Sequence, residues 1–383
     1  MPWKETCVMD QKVQMISNWL SGEYGISELS RIYQVSRKTL YKWIERYDAD
    51  REGGLQDRSR KPGSMPRATP PEMVTEILAS KCRHEHWGAR KLRAWLGREQ
   101  PDKRWPAVST TNEILKRHGM VSARRKRHHT PPYDEPFLNC NQPNEVWCAD
   151  FKGQFRLGQG SLCYPLTLTD SYSRYLLGCW GLEHPAYLPA RSSLETAFRE
   201  YGLPSAIRTD NGVPFASVGV GGLSRLAVWF IKLGIRPERI EKGHPEQNGR
   251  HERMHRTLKA EAISPPRKSM PEQQRAFDRF RTGYNHDRPH EALEQKTPES
   301  VYHKSVRTYT EKIAPVEYSP NLSVRQVKPN GNFKWKGTEV YLSGTLAGEH
   351  VGLKEIGNGV WQIYFSFYPL GILDERKLKV QAA

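Results

Sequence analysis

Long apolar runs are missing from this chain of 383 residues: no stretch approaches the roughly 20 consecutive apolar residues that a bilayer span requires, and no apolar h-region follows the first charges. A membrane-embedded or secreted protein is thereby disfavoured, and a cytoplasmic one is expected. Cysteine is sparse as well. Cys7, Cys82, Cys140, Cys148, Cys163 and Cys179 form no CxxC pair and no disulfide framework, so they read as reduced thiols. Cys82, His84 and His86 lie close together without a CxxC or HxxxH pair beside them, and no structural zinc is expected there. A GxxxxGK phosphate loop is absent, which argues against a nucleotide cofactor. Internal repeats and low-complexity tracts are absent too.

Acidic residues are outnumbered. The chain carries 59 Lys plus Arg against 42 Asp plus Glu, a formal charge of +17, which points to a polyanionic partner, nucleic acid first. The competing reading is a basic protein with no such partner, and motifs must decide between them. At this length two to four domains are expected.

Apolar residues at Val13, Ile16, Trp19 and Leu20 follow a helical period that Gly22 and Gly25 break. Ser27 is expected to cap a second helix and Ser36 a third, which bears Leu40, Trp43, Ile44 and Tyr47. Helix, helix, tight turn, helix is a helix-turn-helix pattern. On the third helix Arg37, Lys38, Tyr41 and Lys42 fall outside the apolar stripe, donors suited to phosphates and base edges. The division expected is a helix-turn-helix domain over 1–55, a linker over 56–71 and a second helix-turn-helix-like domain over 72–121. A basic linker over 122–143 follows, in which Arg124 and Arg125 could track a DNA backbone. From 144 to 300 strand-like runs over Val146–Phe155, Leu162–Thr169 and Tyr175–Trp180 give way to alternating helix and strand, an α/β core. Alternating runs over 316–380 predict a small β-barrel or sandwich, the barrel being the expectation carried forward.

Asp150 sits inside the apolar run Val146-Trp147-Cys148-Ala149-Asp150-Phe151, where a carboxylate is costly to bury unless it meets a cation or donors. Asp210 follows the short strand Ala206-Ile207-Arg208-Thr209 and precedes Asn211-Gly212, so it stands at a strand's C-terminal end, where open α/β sheets place ligands. A third acid comes from His244-Pro245-Glu246-Gln247-Asn248-Gly249-Arg250-His251-Glu252. Asn248 can cap a helix beginning at Gly249, which puts Glu252 in its first turn and Arg256 and Lys259 on the same face. Glu246 lies in the preceding loop.

These residues resemble the catalytic core shared by retroviral integrases and insertion-sequence transposases, with insertion-sequence group 481 the nearest likeness. Trp147-Cys148-Ala149-Asp150, Thr209-Asp210-Asn211-Gly212, and Pro245, Gly249 and Glu252 of a Pro-x-x-x-Gly-x-x-Glu signature carry it, with Tyr284-Asn285, Arg288-Pro289-His290 and Thr297-Pro298 downstream. The resemblance implies a ribonuclease-H-like fold with an Asp, Asp, Glu triad. Its common spacing of 35 residues between second Asp and Glu selects Glu246. Between Asp210 and Glu252 lie 41 residues, an excess that the glycine-rich Gly219-Val220-Gly221-Gly222 accounts for, and the motif and helix position favour Glu252.

The expected architecture is therefore N-terminal all-α helix-turn-helix modules, a central α/β ribonuclease-H-like core and a C-terminal small β-barrel. The expected chemistry is Mg²⁺- or Mn²⁺-dependent in-line phosphoryl transfer, with Asp150, Asp210 and Glu252 holding two ions about 4 Å apart. Asn211, His244, Asn248, Arg256 and Lys259 are expected to contact DNA or shape the loop beside the metals. Double-stranded DNA, as element ends and target, is the expected partner, and synapsis of two ends implies at least a dimer. A bacterial, nucleoid-associated location follows from the resemblance. The rival readings are a catalytically inactive DNA-binding regulator and a plain nuclease of the same fold.

Overall fold

A computed structural model of the chain describes residues 7–58, 68–121, 140–217, 222–241 and 249–382. It divides into two compact units, Met1–Ala68 and Thr69–Ala383. None of the helices among the described residues is long and apolar enough to cross a membrane.

The first unit is three helices: α1 (Val8–Leu20), α2 (Ile26–Ile32) and α3 (Arg37–Gly54). Their apolar stripes meet around Met15, Ile16, Leu29, Leu40, Trp43 and Ile44. Each start is fixed locally. The Ser36 hydroxyl accepts the Thr39 N–H at 3.2 Å, as its sequence position predicts. For α2 the N-cap is Gly25 rather than Ser27, because the Glu28 carboxylate reaches back to the Gly25 N–H at 3.0 Å and satisfies the helix end without a hydroxyl. Arg37, Lys38, Tyr41 and Lys42 are exposed on α3.

The second unit opens with α4 (Pro71–Arg83), α5 (Ala89–Glu99) and α6 (Val108–Arg117), which enclose Ile77, Trp87, Leu92, Trp95 and Leu115. Gly119, in the left-handed region at φ +69°, lets Met120 N–H return to the Leu115 carbonyl at 2.9 Å and ends α6. Next come β1 (Val146–Phe151), β2 (Phe155–Arg156), β3 (Leu162–Asp170), β4 (Leu176–Leu182), α7 (Tyr187–Tyr201), β5 (Ala206–Thr209), α8 (Arg225–Lys232), β6 (Arg236–Arg239), α9 (Gly249–Leu258) and α10 (Met270–Thr282). A π-helical turn, Lys259–Ile263, continues α9.

β3 pairs antiparallel with β1, β2 and β4, and β5 pairs parallel with β1 and β6, giving one six-stranded sheet. Because side chains alternate across a strand, the sheet feeds two cores. Trp147, Ala149, Leu166 and Leu168 pack with Ala190, Leu194 and Phe198 of α7 and Leu226 and Trp229 of α8. Cys163, Leu176 and Cys179 pack with Met254 and Leu258 of α9 and Phe277 and Phe280 of α10.

C-terminal to this layer lie β7 (Ser323–Gln326), β8 (Asn332–Trp335), β9 (Thr338–Tyr341), β10 (His350–Gly357), β11 (Val360–Phe365), β12 (Tyr368–Asp374) and β13 (Lys379–Ala382). The expected barrel does not close. The strands form an open five-stranded sheet, β13-β12-β11-β10-β7, and a separate β8-β9 hairpin. The hairpin contributes Phe333, Trp335 and Val340 to the sheet's core by side-chain packing, without a ladder to either edge. Alternation in sequence reports one buried face, and a packed hairpin satisfies it as well as a rolled sheet does.

One buried carboxylate ties the entry of β1 to the turn after β3. Asp170 is 1% exposed; its Oδ2 accepts Asn144 N–H at 3.1 Å and its Oδ1 accepts Tyr172 and Ser173 N–H at 3.2 and 3.3 Å. Burial outweighs these donors and pushes its pKa up to about 6. The unfolded carboxyl releases its proton near 3.8 while the folded one keeps it to about 6, so this group's contribution to stability falls as pH rises through that window. Urea unfolding of wild type and Asp170→Asn at pH 4 and pH 6.5 checks this: the advantage of wild type over the variant shrinks by about 1–3 kcal/mol at the higher pH. A constant difference means that the carboxyl titrates normally.

Candidate active site

The register of the sheet sets the first two acids. Ala149 pairs with Thr209 in the parallel β1–β5 ladder, so Asp150 and Asp210, the next residue on each chain, stand on adjacent tracks at the sheet's C-terminal edge. Asp150 is mostly buried, its side chain 13% exposed. Asp210 is half-buried and its Oδ1 accepts the Gly212 N–H at 3.1 Å, which shapes the turn beyond β5. The Asn211 amide donates to the Ile240 carbonyl at 2.9 Å and ties that turn to the end of β6.

Across the antiparallel ladder Asp150 faces Thr167. The Thr167 hydroxyl is the hub of a buried network: it lies 3.1 Å from the Asp150 carbonyl oxygen and 2.7 Å from Nε2 of both His251 and His255. A hydroxyl has one proton to give and two lone pairs to offer. The carbonyl can only accept, so Thr167 donates to it and its oxygen accepts a hydrogen bond from each imidazole Nε2–H. Thr169 lies two residues along the same strand face, 3.1 Å from His251 Nδ1, and donates to it. Both His251 nitrogens are thus committed. His255 keeps a lone pair on Nδ1, 3.8 Å from Asp150 Oδ2. Burial holds the His251 pKa down to about 3, and burial together with His251 and Lys152 holds His255 down to about 2, so both rings are neutral and the approach to Asp150 is not a salt bridge.

This network fixes the roll of α9. His251, Met254, His255 and Leu258 face inward and Glu252 lies exposed on the flank beside His255, one helical turn before it. Arg256 and Lys259 are exposed on the same flank. Glu246, His244, Asn248, Arg124 and Arg125 lie outside the described residues. Asn285, in the segment after α10, accepts from Leu176 N–H at 2.8 Å and donates to its carbonyl at 3.0 Å, and Arg288 pairs with Glu261 at 2.6 Å.

Among the described residues, ligand atoms of Asp150, His251 and His255 converge to within 4.8 Å of one another. The two histidines escaped the sequence reading, although His251-Glu252-Arg253-Met254-His255 has the H-E-x-x-H spacing that in other proteins presents two imidazoles to zinc. Here both Nε2 atoms converge on the Thr167 hydroxyl. Carboxylate oxygens with one available imidazole nitrogen suit a divalent cation of the Mg²⁺ or Mn²⁺ type, with His255 the imidazole able to join them.

Comparison with known proteins supplies the family. Two integrase core domain families match residues 140–245 and 233–298, a helix-turn-helix domain family matches 11–63, and a homeodomain-like family matches 39–115. Residues 140–298 thus carry the likeness to an integrase core, with helix-turn-helix likeness preceding it. An uncharacterized 31.7 kDa protein of insertion element IS407 from Burkholderia multivorans is 28% identical over 60% of this chain and 81% of its own length. A 39.2 kDa protein of insertion element IS476 from Xanthomonas euvesicatoria is 24% identical over 79% of this chain and 85% of its own. Among solved structures, the HTLV-2 integrase catalytic core domain in complex with magnesium, in its trimeric form, is 17% identical, with a TM-score of 0.34, over 43% of this chain and 99% of that one.

In this integrase core the Thr167 hydroxyl seats α9 on the sheet, and its removal is a direct test. Thr167→Val keeps the shape and leaves two buried imidazole N–H groups without an acceptor, an expected loss of about 1–3 kcal/mol in chemical denaturation. Ser at the same position retains the hydroxyl and most of the stability. Equal losses for Val and Ser would mean that packing, not the shared hydroxyl, holds the helix.

Proposed function

We propose that the protein is a DNA transposase that cleaves at the ends of an insertion sequence and transfers the freed 3′-hydroxyl into target DNA by in-line phosphoryl transfer. The observation that carries this reading is the pair Asp150 and Asp210 on neighbouring parallel tracks, with α9 locked beside them. Asp150, Asp210 and Glu252 are the proposed catalytic acids. The proposed division of labour gives DNA selection to the helical modules of 1–55 and 72–121, through Arg37, Lys38, Tyr41 and Lys42 on α3, and chemistry to 144–300.

Asp150 and Asp210 would hold divalent ions in common, with Glu252 completing one coordination sphere from α9 and His255 Nδ1 available beside Asp150. Such ions, when bound, neutralise the phosphate and activate the attacking oxygen. The chain's own residues do the positioning. The β1–β5 ladder fixes the two aspartates, Asn211 and the Asp210 turn fix the adjacent loop, and the Thr167 network fixes the roll of α9. Arg256 and Lys259, on the flank of Glu252, are placed to take the charge of the scissile strand. Water attacks in the first step and the 3′-oxygen of the cut strand leaves; that same 3′-hydroxyl attacks a target phosphodiester in the second, and a target 3′-oxygen leaves. No nucleotide is consumed. Joining two ends requires at least two copies of the chain.

The test is Mg²⁺-dependent cleavage and joining on duplexes bearing the element's own ends, comparing wild type, Glu252→Gln and Glu246→Gln. The expected result is that Glu252→Gln lowers both steps by at least about 10²-fold while DNA binding persists, and Glu246→Gln leaves both within a few-fold of wild type. Loss with Glu246→Gln alone would overturn the assignment. Cleavage without joining would identify a plain nuclease, and inert wild type that still binds the ends a regulator.

A further inference from the structure

The inward face of α9 carries histidines; its outward face carries arginines. Arg250, Arg253 and Arg256 line a cleft of about 620 Å³ whose other walls bring Lys91 from α5, Arg174 from the turn between β3 and β4, and Arg288 from the segment after α10. Six cations from four separate elements therefore face one space. The walls are joined: Arg90 pairs with Glu291 at 2.5 Å, and Arg98 donates to the Asp287 carbonyl at 2.9 Å.

The cleft's internal counter-charge is already committed. Glu291, the acid in its lining, is held by Arg90, and Glu261 is held by Arg288. Lys91 donates no hydrogen bond among the described residues. Its pKa is pushed down to about 8 by burial, then by Arg288, and Arg253 adds to the repulsion. Arg174 is lowered too, first by burial and then by Arg250. Glu261 and Glu291 leave the cations in excess, and among the described residues the side chains of Lys91 and Arg253 make no hydrogen bond or ion pair, so the cleft favours an anion from outside the chain. A single small anion would need only one or two of these groups. Arginine forks spread along a helix and facing two other walls match a series of phosphates.

We infer that this cleft is a phosphodiester-backbone site that seats one DNA strand against α5, α9 and the Arg174 turn. The inference rests on the DNA-processing reading above and adds to it a contact surface shared between the second helical module and the core. A site of this kind reads charge and spacing, not sequence, so it strengthens binding to element ends and to unrelated duplex alike.

The test uses the full-length protein without divalent metal, so that catalysis plays no part, and measures duplex binding by fluorescence anisotropy across a salt series. Lys91→Gln and Arg253→Gln are compared with wild type and with Lys354→Gln on β10, an exposed lysine outside the cleft. Each cleft substitution is expected to reduce the slope of log affinity against log salt by about 1. The loss should be equal for element-end and random duplexes, and Lys354→Gln should leave the slope unchanged. Removing a repelled buried charge should leave the Lys91→Gln melting temperature at or above wild type, a result a merely structural lysine would not give. Unchanged slopes with normal wild-type binding, or a loss confined to one sequence, overturn the cleft assignment and leave the transposase reading standing. Wild type that binds no duplex overturns both. Arg253, exposed on α9, keeps the test decisive should Lys91→Gln fail to fold.

Discussion

Two carboxylates on adjacent strands of a parallel ladder are the constraint around which the rest is arranged. Neighbouring strands lie about 4.8 Å apart, and two carboxylates brought to adjacent tracks at that edge repel one another. A fold keeps such a pair only with compensation nearby, and the apolar Val146–Ala149 segment of β1, buried in the sheet, offers none of it. From α9 comes a neutral imidazole, His255, whose Nδ1 lies 3.8 Å from Asp150 Oδ2, and basic residues stand on the exposed side of the same helix.

The locking of α9 explains how a helix that is polar on most of its surface is held against a sheet. Its apolar contacts, Met254 and Leu258, are few. The remaining adhesion is a three-centre arrangement on the Thr167 hydroxyl, whose one proton and two lone pairs are all engaged. Neutral rings are essential to it, since protonation of either would bring a second N–H where Thr169 donates or a buried charge beside its neighbour. Burial ensures neutrality well below physiological pH. The same helix thus has a neutral inner face against the sheet and a basic outer one, with Arg250, Arg253 and Arg256 lining the cleft beyond it.

How far the sequence could be read depended on whether a feature was local. The first unit's helices, the second three-helix set and the strands carrying Asp150 and Asp210 announce themselves by period, caps and turn residues within a few positions. β6 does not: Arg236-Pro237-Glu238-Arg239 has no strand-like alternation, and it becomes a strand by lying parallel to β5, with Arg208 and Glu238 paired at 2.7 Å across the ladder. The open C-terminal sheet and its packed hairpin were illegible for the same reason, since edge pairing is a long-range property. His251 and His255 had a visible spacing, but their partner is Thr167, more than eighty residues away, and only that contact distinguishes a hydrogen-bonded clamp from a pair of zinc ligands. The basic cleft draws on Lys91, Arg174, Arg253 and Arg288, which no sequence window contains together.

The choice between Glu252 and Glu246 turns on the same distinction. A count of residues between two acids constrains nothing physically, because the intervening loop can lengthen at little free-energy cost: each doubling adds only about 0.6 kcal/mol of closure entropy. The roll of a helix is a different kind of quantity. Once His251 and His255 are bound to Thr167, α9 cannot rotate without breaking both contacts, and the azimuth of every residue on it follows from 100° steps. Glu252, one step past His251 and three before His255, is thereby held on the flank nearest the ring that approaches Asp150, whatever the length of chain between Asp210 and Gly249. Spacing rules taken from relatives track this geometry only while the loop is conserved in length, and the Gly219–Gly222 segment lies where an insertion would break that link without disturbing the acids.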